Sequence, residues 1–210
     1  MRFAALPVTL FLLVAAAGAE AQVGTNKGLA DPNLADRAAL KALPNMSDAL
    51  ADAVIAARPF TSAKALDDAL MKSLTAPQRA ELYERLFRQI NLNTASRDEI
   101  MLIPRMTARM AHEFEEYRPY TSLEQFRREI GKYVDANEVA RLEQYVFVPL
   151  SLNKASAQDF MTIPGMTNRM VHEFEEYRPY TGIEQFRREI GKYVSKDEVA
   201  RLERYVTLNK

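Results

Sequence analysis

Apolar residues across 91–147 recur at intervals of three and four, the spacing that gathers one stripe on an α-helix. Met106, Met110, Phe114 and Tyr117 fall on one such face, and Val139, Leu142 and Val146 on another. Start signals bracket these stripes. Ser96 with Glu99 three residues on has the form of a capping box, and Thr107 stands as an N-cap. Thr121 with Glu124, and Asp135 with Glu138, offer two further boxes. Pro104 and Pro119 end the helices before them, because the residue preceding a proline resists helical geometry. Gly131 breaks a third helix, and no stretch carries a strand signal. The pattern predicts an all-α fold with four short helices in this stretch.

That pattern occurs three times. Residues 91–147 and 151–207 align without gaps, and "HEFEEYRPYT" and "EQFRREIGKYV" recur intact. The stretch from 33 to 87 keeps the same offset at lower identity: Pro44 matches Pro104, "RPFT" matches "RPYT", and Leu82 matches Leu142. A repeat of this length means one helical unit per copy, with neighbouring copies packed together because each is small. The expected division is three units, 31–90, 91–150 and 151–210, after a flexible lead-in at 22–30.

Residues 1–21 read differently. Met1 and Arg2 precede an apolar run over 3–17, and Ala19-Glu20-Ala21 has the form of a cleavage site. This is the pattern of a secretory signal peptide cleaved after Ala21, so the mature chain is expected outside the cytoplasm, periplasmic or extracellular. No later run is long enough to span a bilayer. With no cysteine there is no disulfide framework and no thiolate metal site.

Charge narrows the function classes. Lys plus Arg number 28 and Asp plus Glu 28. A nucleic-acid binder draws most of its affinity from phosphate neutralisation, so binding here would need a local basic patch. Arg127, Arg128 and Lys132, with Arg187, Arg188 and Lys192, form such clusters, and a solvated charged face is their simpler role. His112 and His172 lack a second histidine or cysteine at ligand spacing, and the methionines suit adaptable core filling. No nucleophile–base pair or glycine-rich nucleotide loop occurs. The expectation is a non-enzymatic protein without cofactor or metal.

The most informative stretch is the turn between the first two helices of each unit: "LPNMS", "IPRMT" and "IPGMT". Helix, short turn and second helix resemble a helix-hairpin-helix motif. "NLNTASRDEIMLIPRMT…EEYRPYTSLEQF" further resembles the exported competence DNA-binding ComEA family, which places "LNTA", a "LPGIG" hairpin, a "YR…PF" segment and a second hairpin in this order. The resemblance covers all three units, best the second and third. It implies binding of double-stranded DNA without sequence preference, during DNA uptake.

The chemistry of such a turn is main-chain N–H groups and a helix N-terminus pointing at one phosphate oxygen, with basic side chains on the following turn. Such contacts position a protein on a duplex and carry no base information. The matching positions are Gly165, Met166, Thr167, Asn168 and Arg169 in the third unit, and Arg105, Met106, Thr107, Ala108 and Arg109 in the second. This chain departs from the family at the second glycine, where Ser47, Thr107 and Thr167 stand. A hydroxyl there is a natural N-cap and takes one amide for its own helix. The second hairpins, "KSLTAP", "KYVDAN" and "KYVSKD", have no glycine pair and are expected to be structural. Arg109 and Arg169 also stand four residues before Glu113 and Glu173, so a helix-surface ion pair is the alternative to phosphate contact.

A protein–protein scaffold is the competing reading. "IPGMTNRMV" is similar to the "YPGMYPTLA" turn of the extrinsic photosystem II subunit U family, which uses this fold without nucleic acid. That resemblance implies an envelope or lumenal protein partner. Balanced charge, the missing glycines and the self-capping Ser and Thr favour it; the repeated tyrosines Tyr117, Tyr120, Tyr133 and Tyr145 could anchor a partner, with closing their own unit's core as their simpler role.

Overall fold

The computed structural model describes residues 29–208. The signal-peptide pattern at 1–21 and most of the 22–30 lead-in lie outside the described residues. Within 29–208 the chain is mostly helical. Twelve α-helices come in three successive sets. The first is α1 (Arg37–Lys41), α2 (Asp48–Ala56), α3 (Ala63–Leu70) and α4 (Ala76–Tyr83). The second is α5 (Arg97–Met101), α6 (Ala108–Glu116), α7 (Leu123–Ile130) and α8 (Ala136–Glu143). The third is α9 (Ala157–Met161), α10 (Asn168–Glu176), α11 (Ile183–Ile190) and α12 (Lys196–Glu203).

Side-chain caps fix where these short helices begin. Ser96 accepts from the Glu99 amide while Glu99 reaches back to the Ser96 amide, a reciprocal box. Thr75 with Gln78 forms another. Asp135 and Ser195 each cap their helix, but Glu138 and Glu198 turn away to pair with Arg141 and Arg201. The expected box at Thr121 and Glu124 is corrected by one position. Ser122 is the N-cap, accepting from the Gln125 amide, and the Gln125 side chain accepts from the Thr121 amide instead. Either hydroxyl could serve by residue type; the extended backbone falls at Ser122.

The sequence pattern predicts no strands, and short ones occur. β1 (Ile90–Asn91) pairs in parallel with β2 (Val146–Phe147), and β3 (Leu150–Ser151) with β4 (Val206–Thr207). A single parallel bridge joins Ala30 to Leu86 at the equivalent place. Two residues are too few to show an alternating pattern, and most of these are buried, so nothing in the sequence separates them from helix-flanking apolar residues. Each ladder ties the start of a helical set to its end.

A side-chain latch lies beside each ladder. Asn93 donates through Nδ2 to the Tyr120 carbonyl at 2.9 Å and accepts from the Tyr120 amide at 2.6 Å. Asn33 does the same with Phe60, and Asn153 with Tyr180. Arg118 donates through Nε to the Leu92 carbonyl at 2.6 Å and through Nη2 to the Ala95 carbonyl at 2.7 Å. Arg58 and Arg178 repeat this fork. The peptide bonds preceding Pro59, Pro119 and Pro179 are cis. The recurring "LN" and "RPY" motifs thus have a structural duty: they join one end of each set to its middle.

Buried apolar side chains form two clusters. One runs from Leu29 to Val148 through the first two helical sets, with Phe114 against Phe126 at 5.2 Å. The other runs from Phe147 to Val206, with Phe174 packed on both Phe160 and Phe186. Phe147 meets Tyr205 at 4.5 Å, where the second set hands over to the third. The expected buried stripe Val139, Leu142 and Val146 is in the core, as are Phe114 and Tyr120.

Replacing Asn93 with Ala removes both bonds to Tyr120 and strands a part-buried amide and carbonyl. The expected loss is about 2–3 kcal/mol in denaturant unfolding with an unchanged m-value.

Candidate nucleic-acid interface

The three turns between α1 and α2, α5 and α6, and α9 and α10 share one backbone solution. The residue after the proline is left-handed in each: Asn45 at φ 59°, Arg105 at 60° and Gly165 at 74°. Glycine adopts this region freely and asparagine tolerates it, whereas arginine is strained there by about 1–2 kcal/mol. The changing letter in "LPNMS", "IPRMT" and "IPGMT" therefore sits at one conformational requirement.

The main-chain donors divide into two groups. The Met106 amide donates back to the Ile103 carbonyl at 3.0 Å, and the Met166 amide to Ile163 at 3.0 Å. The Thr107 hydroxyl accepts from the Met110 amide at 3.1 Å, and Thr167 from Met170 at 3.2 Å. Threonine thus takes one helix-start donor, as its position suggests. The amides of Thr107, Ala108 and Arg109 have no acceptor among the described residues, nor do those of Thr167, Asn168 and Arg169. All six residues are exposed. Two exposed helix starts keep three adjacent N–H groups each, where the helix dipole favours an anion.

Arg109 and Arg169 stand on these first turns. Neither has a carboxylate partner among the described residues, so the helix-surface pairs with Glu113 and Glu173 are not formed. Each guanidinium instead lies against a tyrosine ring, Arg109 5.9 Å from the Tyr133 centroid and Arg169 5.8 Å from Tyr193. Glu113 and Glu173 are buried beneath those rings. Hydrogen bonds with Tyr117 and Tyr177, and then with these glutamates, raise the pKa of the Tyr133 and Tyr193 phenols. Arg105 points to solvent, with Glu138 at 3.9 Å. Met106 and Met166 are partly buried against the core, so their side chains are unsuited to a ligand while their backbone shapes the turn.

The first turn is different. Asp48 occupies the first position of α2 and pairs with Lys41 at 2.7 Å, placing a carboxylate where a phosphate would sit. Ala49 stands where the other sets have arginine.

Two residue types that hold these turns carry no motif in the sequence reading. Arg141 donates to the Pro104 carbonyl at 2.9 Å and Arg201 to the Pro164 carbonyl at 2.6 Å, each also bound to a glutamate one turn back. The first set makes this join with reversed polarity: Asn45 donates through Nδ2 to Glu81 at 2.9 Å. The sequence does carry that signal, since arginine at 141 and 201 becomes glutamate at 81 where Asn45 supplies the donor. Leu34 is the other. A methyl on Gly165 would fall 2.9 Å from Leu34 Cδ1, so the first helical set closes over the third turn.

The two basic clusters are consumed internally. Arg127 forks onto Glu143, and Arg187 onto Glu203. Glu129 is held by Arg128 and Lys132, and Glu189 by Arg188 and Lys192. Bonds from Lys132 and then Arg128 keep the Glu129 carboxyl below its ordinary range. His112 and His172 are exposed beside Glu116 and Glu176.

No family model matches the chain, and no solved structure does. A stretch of 123 residues is 28% identical to the endonuclease/exonuclease/phosphatase family domain-containing protein 1 of Xenopus laevis. That match covers 45% of this chain and 22% of the Xenopus protein, so the chain spans under a quarter of that relative.

At the left-handed positions, Gly165→Ala combines backbone strain with the Leu34 approach and is expected to lose about 1–3 kcal/mol. Arg105→Val, with a branched Cβ at the same φ, should lose about as much, whereas Arg105→Gly should be no less stable than the parent. Thermal unfolding of the three variants checks this.

Proposed function

We propose that the three helical sets are tandem helix-hairpin-helix units, and that this is an exported, non-enzymatic protein binding duplex DNA through its phosphate backbone. The observation that carries this reading is the pair of exposed helix starts at Thr107–Arg109 and Thr167–Arg169, each with unengaged amides and an arginine lacking a carboxylate. A phosphate oxygen satisfies both at once. The turn of the first unit, filled by Asp48, has only a structural role. Two sites on one chain raise avidity where their spacing suits the duplex. Sequence preference is not expected, because phosphate contacts carry no base information.

A second reading, a protein–protein scaffold of the cell envelope, draws on a different observation. The other basic clusters are neutralised by neighbouring glutamates, and the tyrosine-backed arginines Arg109 and Arg169 also suit an acidic protein surface. Crosslinking in the envelope that recovers one discrete partner despite nuclease treatment favours this reading.

The test is titration of labelled duplex DNA with the mature chain across a salt series. Neutralising about three phosphates, with Arg105, Arg109 and Arg169, weakens binding roughly 40-fold between about 50 and 200 mM salt. Arg109→Glu with Arg169→Glu should abolish binding while leaving thermal unfolding close to the parent. Binding that ignores salt, or that survives the double variant, overturns the proposal.

A further inference from the structure

The two hairpin arginines belong to a larger group that recurs as a block. In the second helical set Arg109 and Glu113 stand on α6, Tyr117 closes that helix, and Tyr133 follows α7. In the third set Arg169, Glu173, Tyr177 and Tyr193 take the same places. The two phenol oxygens meet at 2.8 Å in both sets. Each arginine faces the ring of the second tyrosine, and that phenol also hydrogen-bonds with the buried glutamate below it. The first set has none of these residues. Ala49, Ala53, Ala57 and Ser73 occupy the four positions, and all of them are exposed.

Replacement of the whole group separates its role from the fold. The first set keeps the same helices, the same latch from Asn33 and the same left-handed turn, with a bare face of small residues. The tyrosine–glutamate layer therefore lies outside what the helices need in order to pack. It is also unfavourable in itself. Glu113 is 9% exposed and Glu173 7%, and one carboxylate oxygen of Glu173 is buried without a hydrogen-bond partner. A carboxylate held in this way destabilises the fold unless a nearby cation offsets it. The first set is, moreover, the one whose helix start is blocked by Asp48. Layer and open helix start are thus present together or absent together. Arg88 and Arg204 also lack an ion-paired carboxylate, but they meet where the first set packs on the third, one buried and the other bound to the Gln89 carbonyl.

We propose that Tyr133 and Tyr193, backed by Glu113 and Glu173, are positioning residues that hold Arg109 and Arg169 beside the open helix starts for a phosphate. This rests on the DNA reading and says how its arginines are kept in place. A guanidinium laid on a ring uses its flat face and leaves its edge N–H donors free to fork onto a phosphate. The glutamate supplies counter-charge from behind the ring, so those donors are not consumed by a direct ion pair. An arginine already held loses less rotamer freedom when the anion arrives.

The mature chain is given the residues of the first set at four positions, Glu113→Ala, Tyr133→Ser, Glu173→Ala and Tyr193→Ser, and labelled duplex DNA is titrated at fixed low salt. Circular dichroism and thermal unfolding first establish that each variant is folded. The exchange removes two carboxylates (Glu113 and Glu173), so charge alone would tighten binding. Positioning gives the opposite sign, a loss of about tenfold. Tyr133→Phe with Tyr193→Phe keeps the rings and should bind within about twofold of the parent, even where loss of the phenol–glutamate bond lowers the unfolding temperature. In an Arg109→Gln, Arg169→Gln background the four-residue exchange should leave residual binding unchanged or tighter, since only the charge effect remains. Four results overturn the positioning role: an exchange variant that binds as tightly as the parent, an equal loss with and without the arginines, an equal loss in the phenylalanine pair, or an exchange variant that does not fold. A parent that binds no duplex DNA removes the DNA reading itself, so the two failures are told apart.

Discussion

A stretch of four short helices has two loose ends and little core, and here the ends are tied to each other. The amide of Ile90 donates to the Tyr145 carbonyl and that of Leu92 to Phe147; Leu150 and Leu152 do the same with Tyr205 and Thr207. These bonds are few, but they close a loop that hydrophobic contacts alone would leave ragged. Closure also sets the start of the next helical set, because the strand ending one set leads within a few residues into the strand beginning its neighbour. The latches of Asn93 and Arg118, and their equivalents, then pin the middle of each set to the same place. Helix starts as short as that of α6 are held in register by these ties more than by helix propensity, which is marginal at nine residues.

The hairpin turns depend on this frame. A set closed at its ends must reverse direction within a few residues between its first two helices, and the left-handed residue after the proline does so. Arg105 accepts strain that Gly165 does not. A side chain that serves the turn poorly yet stands beside an exposed helix start has its best reason in what it faces, solvent or an anion. Gly165 has a different reason: Leu34 crosses too close for a side chain. Equivalent positions in two copies thus answer to different neighbours, one outside the fold and one within it.

Helix number, the caps at Ser96, Thr107 and Asp135, and the buried stripes are legible in the sequence because they depend on residues three or four apart. Pro104 and Pro119 mark real ends. The cap at Ser122 reads one residue early because Thr121 and Ser122 are chemically equal and only the backbone distinguishes them. The two-residue ladders are invisible, since pairing partners lie a whole helical set apart. The threonine caps of the hairpin turns are legible, and each threonine takes one helix-start amide as its chemistry suggests. The Arg109–Glu113 pair does not form, because Glu113 is drawn inward beneath Tyr133. The junction of Arg88 with Arg204 is beyond the reach of sequence patterns: the Arg204–Gln89 contact joins residues 115 apart.

Equal numbers of acidic and basic residues do not make the surface electrostatically inert. Charge matters where it lacks a partner, and carboxylates answer most of the arginines among the described residues. Of the rest, Arg58, Arg118 and Arg204 donate to main-chain carbonyls, and two further cases differ in exposure. Arg109 and Arg169 are exposed, so water solvates them at little cost, and an anion there would bind by displacing counterions, in a salt-dependent way. Arg88 is buried, so its unpartnered Nε and Nη1 are costly continuously, and the charge of Asp31 offsets part of that cost. The same residue type is thus left to water in one place and held as a buried charge in another. Exposure decides which, and for Arg88 it is set by how the first helical set packs against the third.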